Sequence, residues 1–322
     1  MPKVSVVIAT HNRPHLLPGA VESARRAGTD VEVVVVDDAS TDETAGICRE
    51  LPGIRYVRVA RNRGVACARN LGIVASGGEY IGFLDDDDLR LPGSLDAQVK
   101  TLDSAPEVGL VYGQALVGDE HRAPTGDSYP AHCPRGDVFW ELLAQNFIPC
   151  GTALFRRSCL SRVGLLDETI PGIEDWDLWI RIAELCAVEA VARPLLIWRR
   201  PTPDSGQYTS GAARLLSLGA RQFRERWFKL PRVAAATRGE RAEARGRFLD
   251  RVADQLMWET AGDLRGGRLR RARANALTAL RLNFAGTLRR AARPETLRFL
   301  LAGASGERRR EGTINGITGR GE

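Results

Sequence analysis

The stretch Tyr80-Ile81-Gly82-Phe83-Leu84-Asp85-Asp86-Asp87-Asp88 decides how this chain is read. Five residues suited to a buried strand run straight into four aspartates. Alternation along an extended backbone lets Asp85 and Asp87 point the same way. Like charges delivered to one strand end repel one another unless a cation neutralises them. Hard oxygen ligands of this kind suit Mg²⁺ or Mn²⁺, which often bridge to the phosphates of a substrate. A solvated acidic turn is the competing reading. The strand in front, and a second acidic turn at Asp37-Asp38, weigh against it.

Working outward, strands and helices alternate. Val4–Thr10 reads as a buried strand, Pro14 to Ala27 as a helix, and Val31–Val36 as the β-branched run of a central parallel strand. Helix 42–51, strand 54–59, helix 65–76, the strand 80–84, helix 93–103 and strand 109–117 complete the series. This alternation predicts an α/β fold with a mostly parallel sheet covered on both faces. Ligands of such sheets bind beyond the carboxyl ends of the strands. There His11-Asn12-Arg13, Asp37-Asp38 and Asp85 to Asp88 converge on one rim. The Pro-, Gly- and charge-rich stretch 119–135 reads as a loop.

Beyond residue 213 the strand signal ends. Arg214–Phe228, Gly239–Met257 and Leu269–Phe284 carry apolar residues at helical spacing, and 261–283 has the look of a helical hairpin. Charge divides the chain at the same place. Residues 1–213 hold 21 Lys and Arg against 29 Asp and Glu, whereas 214–322 hold 25 against 11. Two structural units are therefore expected, 1–213 and a basic helical extension 214–322. An apolar fraction of 43% supports a true core and excludes a disordered chain. No run approaches the 18 apolar residues of a membrane span, and Met1-Pro2-Lys3-Val4 shows no signal-peptide core. Six scattered cysteines without a C-x-x-C pair fit free thiols in a reducing, cytoplasmic setting.

Five stretches together resemble the family 2 inverting glycosyltransferases, whose nucleotide-sugar-binding fold is of the GT-A type. They are Val4 to Arg13, Val36 to Asp42, Asn62-Arg63-Gly64 with Ala68-Arg69-Asn70, Phe83 to Asp88, and Glu174-Asp175-Trp176-Asp177-Leu178-Trp179. The resemblance covers about residues 2–200 and leaves the basic tail outside. It departs from the family at His11, where Tyr is frequent. It departs again at 198–203, where some members supply a histidine to the metal.

What the resemblance implies is specific. Asp87 would bind Mn²⁺ or Mg²⁺ directly with support from Asp85, and Asp86 would hold the ribose. Asp38 would accept from the N–H of a uracil or thymine ring, with Thr10, His11 and Asn12 beside the nucleotide; capping of the helix that follows is the competing reading for Asp38 and the one taken for Asp37. Arg69 either binds phosphate or pairs with Asp85 or Glu79. Asp175 would be the base that deprotonates the acceptor hydroxyl. Glu174 would bind the acceptor or cap its helix, Trp176 would offer a sugar-stacking face, and Trp179 would belong to the core. Asp88 would cap the turn before Pro92, and Gly151-Thr152 would shape the acceptor pocket. The expected partners are a UDP- or TDP-sugar donor and a glycan, lipid-linked or small-molecule acceptor chosen by loops such as 119–135 and 200–212. The alternative is a domain that binds nucleotide sugar as a scaffold or sensor without turning it over. For the basic tail three readings stand: a solvated cap, peripheral contact with an anionic membrane, and, ranked last, nucleic-acid binding.

Overall fold

The computed structural model describes residues 1–200 and 211–292. Contacts group these into two compact units, one gathering Met1–Leu142 and residues from Asn146 to Arg200, the other holding the helices from Ala212 onward. Residues 201–210, part of the expected acceptor loop, and the tail from 293 lie outside the described residues.

The first unit opens with β1 (Val4–Thr10), α1 (Leu17–Arg26), β2 (Val31–Asp37), α2 (Thr44–Glu50), β3 (Ile54–Arg58), α3 (Val65–Ala75) and β4 (Tyr80–Asp85). The two-residue β5 (Leu89–Arg90), α4 (Ser94–Ser104), β6 (Val108–Gly118), β7 (Pro124–Tyr129) and α5 (Phe139–Ala144) follow. β8 (Leu154–Arg156), α6 (Leu160–Val163), α7 (Glu174–Ala183) and β9 (Ala187–Arg199) complete it. One mixed sheet runs β3-β2-β1-β4-β8-β6-β9-β5, with β7 paired to β6. Its first four strands are parallel, as the alternation predicts. Antiparallel β8 then enters between β4 and β6.

The stretch 119–135, read as a loop, contains β7. Pro124-Thr125-Gly126-Asp127-Ser128-Tyr129 lacks apolar alternation, so its extended state comes from pairing with β6 and not from local pattern. The first helix begins at Leu17, later than expected, with Pro18 in its first turn.

Burial explains the central strands. Val6, Val7, Ile8, Val34, Val35 and Val36 have no exposed surface, and each such side chain contributes about 1.5–3 kcal/mol. α3 lies unusually close to β1, because a Cβ on Gly72 would stand 2.2 Å from Val7 Cγ1. Only glycine permits that approach. Register then sets the rim: Thr10 pairs with Asp37 and Ala9 with Asp85, so β1, β2 and β4 end side by side.

In the second unit, α8 (Ala212–Glu225), α9 (Pro231–Ala235), α10 (Arg238–Arg265), α11 (Leu269–Leu282) and α12 (Phe284–Ala291) follow in order. Thr237 and Glu240 form a capping box at the start of α10. Phe223 stacks on Phe248 at 4.4 Å, giving this unit its own aromatic core. α10 and α11 form the expected hairpin around buried Asp263, which accepts from Arg268 at 2.6 Å and from Asn275 at 3.0 Å. Among the described residues no helix is long and apolar enough to cross a membrane.

Candidate active site at the carboxyl rim of the sheet

The acidic run splits into four environments. Asp85 is part-exposed, Asp86 is buried against Thr10, Asp87 is part-exposed, and Asp88 is buried. The Thr10 hydroxyl donates to Asp86 Oδ2 at 2.7 Å. One Arg13 nitrogen reaches both Asp86 Oδ1 at 2.7 Å and Asp87 Oδ2 at 3.1 Å. Arg199, from the end of β9, stands 3.8 Å from Asp87, and its backbone N–H donates to Asp88 Oδ1 at 2.8 Å. Asp88 therefore ties the turn to β9, and its own N–H closes that turn on the Asp85 carbonyl.

Electrostatics follow from crowding. Burial pushes Asp86 up to about 6 despite Arg13, and Asp87 shifts upward through burial and the charge of Asp85. Burial and three neighbouring carboxylates hold Asp88 well above the usual range. Among the described residues no group of three or more His, Cys, Asp or Glu could hold a metal. The donor set is instead two hard carboxylates whose mutual repulsion is incompletely balanced. That set fits an ion of the Mg²⁺ type, which takes its remaining ligands from phosphate and water.

The part of the rim formed by the ends of β1 and β2 is built from strained turns. Asn12 and Ala39, just past β1 and β2, have φ of 53° and 60°. For Ala39 that left-handed conformation costs about 1–2 kcal/mol and must be held by its surroundings. His11 Nδ1 contacts the Asp38 carbonyl at 2.8 Å, and Asn12 Oδ1 accepts from the Thr41 N–H at 2.8 Å. Asp37 is a structural cap: it accepts from the Ser40 N–H at 2.7 Å and the Tyr56 hydroxyl at 2.9 Å. Asp38 uses both oxygens, accepting from the Arg63 N–H at 2.9 Å and the Gly64 N–H at 2.7 Å. Gly64, at φ 87°, is the N-cap of α3, so Asp38 fastens the β3–α3 turn to the end of β2.

Arg69 connects this rim to α7. It is 5% exposed, with Nη2 donating to Asp85 Oδ1 at 2.7 Å and Nη1 to Glu174 Oε1 at 2.9 Å. Of the two readings of Arg69, the ion-paired one is what the structure shows. Glu79, the other partner considered, pairs with Lys3 at 2.8 Å instead. Asp175, next to Glu174, is part-exposed and pushed up to about 7, first by burial and then by the charge of Glu174, with Arg69 opposing. A carboxylate with such proton affinity is suited to take a proton near neutral pH.

Two neighbours differ from expectation. Trp176 is 6% exposed and its indole N–H donates to the Leu142 carbonyl at 2.7 Å, so it is a packing residue with no open face for a sugar. The apolar spacing of α7 held that signal, since Trp176 and Trp179 both pack inward. Glu174 is 3% exposed and accepts from Arg69 and the Gly172 N–H. Its carboxylate is thus committed to the protein and not to an acceptor. Gly151 packs closely on β9, where a Cβ would meet Leu196 Cδ2 at 2.9 Å. Buried Gln98 reinforces that turn, donating to the Thr152 and Val111 carbonyls.

Sequence reasoning gave no role to Arg13 or Arg199. Arg13 lies three residues past an acid-facing strand end, a position that could have flagged it. Arg199 is more than a hundred residues from Asp87, and the antiparallel β5–β9 pairing, Leu89 opposite Ile197, brings it near.

One rim of a mixed α/β sheet thus brings together left-handed turns past β1 and β2, an acidic strand end and, through Arg69 and Glu174, a carboxylate of raised proton affinity. Residues 5–164 match the model of Glycosyl transferase family 2, and through them the chain belongs to that family. It is 31% identical over 198 residues to an uncharacterised glycosyltransferase of Rickettsia felis, a match covering 60% of this chain and 32% of the relative. The chain thus spans about a third of that relative's length. It is 28% identical over 187 residues to WfaP of Escherichia coli, a UDP-Glc:α-D-GlcNAc-diphosphoundecaprenol β-1,3-glucosyltransferase, covering 56% of this chain and 70% of WfaP. The crystal structure of S. aureus TarS 1–349 in complex with UDP-GlcNAc superposes with a TM-score of 0.55 at 16% identity. That match covers 86% of this chain and 91% of TarS 1–349, and it shows a shared fold.

Proposed function

We propose that this protein transfers a sugar, with inversion, from a UDP- or TDP-sugar to a hydroxyl of a glycan, lipid-linked or small-molecule acceptor. The observation that carries the reading is Asp175: a carboxylate with raised proton affinity, joined through Glu174 and Arg69 to the acidic end of β4. The acceptor oxygen attacks the sugar C1 from the side opposite the diphosphate. Its proton passes to Asp175, and the C1–O bond breaks with its electrons going to the diphosphate. No covalent sugar–protein intermediate forms.

Asp38, His11, Asn12 and Thr10 would line the nucleotide end, and Asp86 would hold the ribose. Asp87, with Asp85, would hold Mn²⁺ or Mg²⁺, which when bound neutralises charge on the departing diphosphate. Arg13 and Arg199 offset part of the charge of Asp87 from the protein side, and Arg69 part of that of Asp85. The nucleotide-diphosphate donor and lipid-diphosphate acceptor in the name of WfaP support this substrate class.

Thermal shift with nucleoside diphosphates and their sugars, with and without Mn²⁺, tests the donor site, because a ligand of the native state raises stability by mass action. A UDP or TDP shift that needs metal and is lost in Asp87→Ala is expected. Asp175→Asn should keep that shift and lose transfer. An Asp175→Asn protein with near-normal turnover would sink the base assignment. Nucleotide binding without turnover by the wild type would leave only the scaffold reading.

A further inference from the structure

The second unit carries a surface that sugar transfer does not use. From Leu264 to Ala292 the sequence has eight arginines and no acidic residue. Five of the nine exposed large apolar side chains among the described residues fall in the same stretch. On α11, Leu269, Arg273, Leu277 and Arg281 follow one another at four-residue intervals, and all are exposed. Ala272, Asn275 and Ala279 take the buried side of that helix. On α12, Phe284 and Leu288, one turn apart, are 64% and 50% exposed. Asp263 engages Arg268 and Arg271 inside the unit, whereas Arg270, Arg273 and Arg281 make no ion pair among the described residues.

We infer that the exposed faces of α11 and α12 dock this protein on an anionic lipid bilayer. Alternating leucine and arginine on one helix face suits an interface where apolar groups enter the acyl boundary and guanidinium groups stay at the phosphates. A second copy of the chain fits poorly, since a face with arginines and no carboxylates repels itself. A nucleic-acid backbone would satisfy the arginines but would offer nothing to Leu269, Leu277 and Phe284. The inference concerns the second unit alone and does not rest on the proposed chemistry.

Flotation of the full chain with phosphatidylcholine vesicles, with and without phosphatidylglycerol, tests it. Association is expected only with the anionic vesicles, and it should weaken as salt rises. Each cation removed near such a surface lowers partitioning about fivefold, so Arg270→Gln/Arg273→Gln/Arg281→Gln should abolish flotation. Leu277→Gln/Phe284→Gln should reduce it at least tenfold while leaving nucleotide-induced thermal shifts unchanged. The salt series on the wild type stands even if a variant folds badly. Absence of flotation, equal flotation with neutral vesicles, or variants that float normally would each overturn the inference. Light scattering that shows a dimer lost in Leu277→Gln/Phe284→Gln would assign the face to a second copy. Displacement from vesicles by equimolar duplex DNA would assign it to nucleic acid.

Discussion

Arg69 Nη1 donates to Glu174 Oε1 at 2.9 Å while its other terminal nitrogen holds Asp85. A single buried guanidinium thus spans the gap between the acidic strand end and the helix that carries Asp175. Arginine suits this position because its planar fork serves two carboxylates without changing rotamer.

Arg69→Met is expected to lower stability by about 3–5 kcal/mol, because it leaves Glu174 buried without a counter-charge. Arg69→Met/Glu174→Gln should recover much of that loss, and chemical denaturation of the four proteins would give a coupling of about 1–3 kcal/mol. Strictly additive single effects would show that the bridge contributes no pairwise energy.

The pH dependence of transfer should follow Asp175. With its value near 7, kcat/KM is expected to rise with pH through a midpoint close to 7. Glu174→Gln removes a neighbouring negative charge and should move that midpoint to lower pH. An unmoved midpoint would separate Asp175 from the titration.

Asp175 should also weaken the fold at neutral and higher pH. Its folded value lies above the ordinary value of about 4, so the native state binds its proton more tightly than the unfolded chain. That contribution is present in full below about pH 4 and is lost as the pH rises through about 7. Asp175→Asn is therefore expected to be about 1–3 kcal/mol more stable than the wild type at pH 8 and nearly equal to it at pH 4. Melting curves at the two pH values check the sign.

Gly72→Ala should destabilise by about 1–3 kcal/mol, since its Cβ would press into Val7 Cγ1. Val7→Ala removes that methyl, so Gly72→Ala/Val7→Ala should be more stable than the sum of the single losses predicts. Denaturation midpoints measure both.

Asp38→Asn places an amide where two backbone N–H groups need acceptors. A loss of about 1–3 kcal/mol is expected, together with about tenfold weaker UDP binding. Melting temperature and UDP titration read the two effects separately. Normal UDP affinity in a destabilised variant would confine Asp38 to fastening the β3–α3 turn.

How much was legible from sequence differs by element. The β-branched runs at Val4–Thr10 and Val31–Asp37, and the apolar run before Asp85, announce central strands, because full burial on two faces demands continuous apolar residues. β7 was illegible, because its polar residues take their conformation from β6. Trp176 was misread because an aromatic beside a carboxylate looks the same in sequence whether it faces a cleft or the Leu142 carbonyl.

By itself the sequence determined the alternation of elements, the change of charge at the helical extension, and the delivery of aspartates to a strand end. These depend on local periodicity and on residue type, which need no knowledge of distant neighbours. Only the tertiary structure decided which charges meet. Arg13 and Arg199 reach Asp87 from opposite ends of the unit, and Arg69, bonded to Asp85, meets Glu174 across 105 positions. Charge pairing depends on separation in space and on burial, and strand register and helix packing set both.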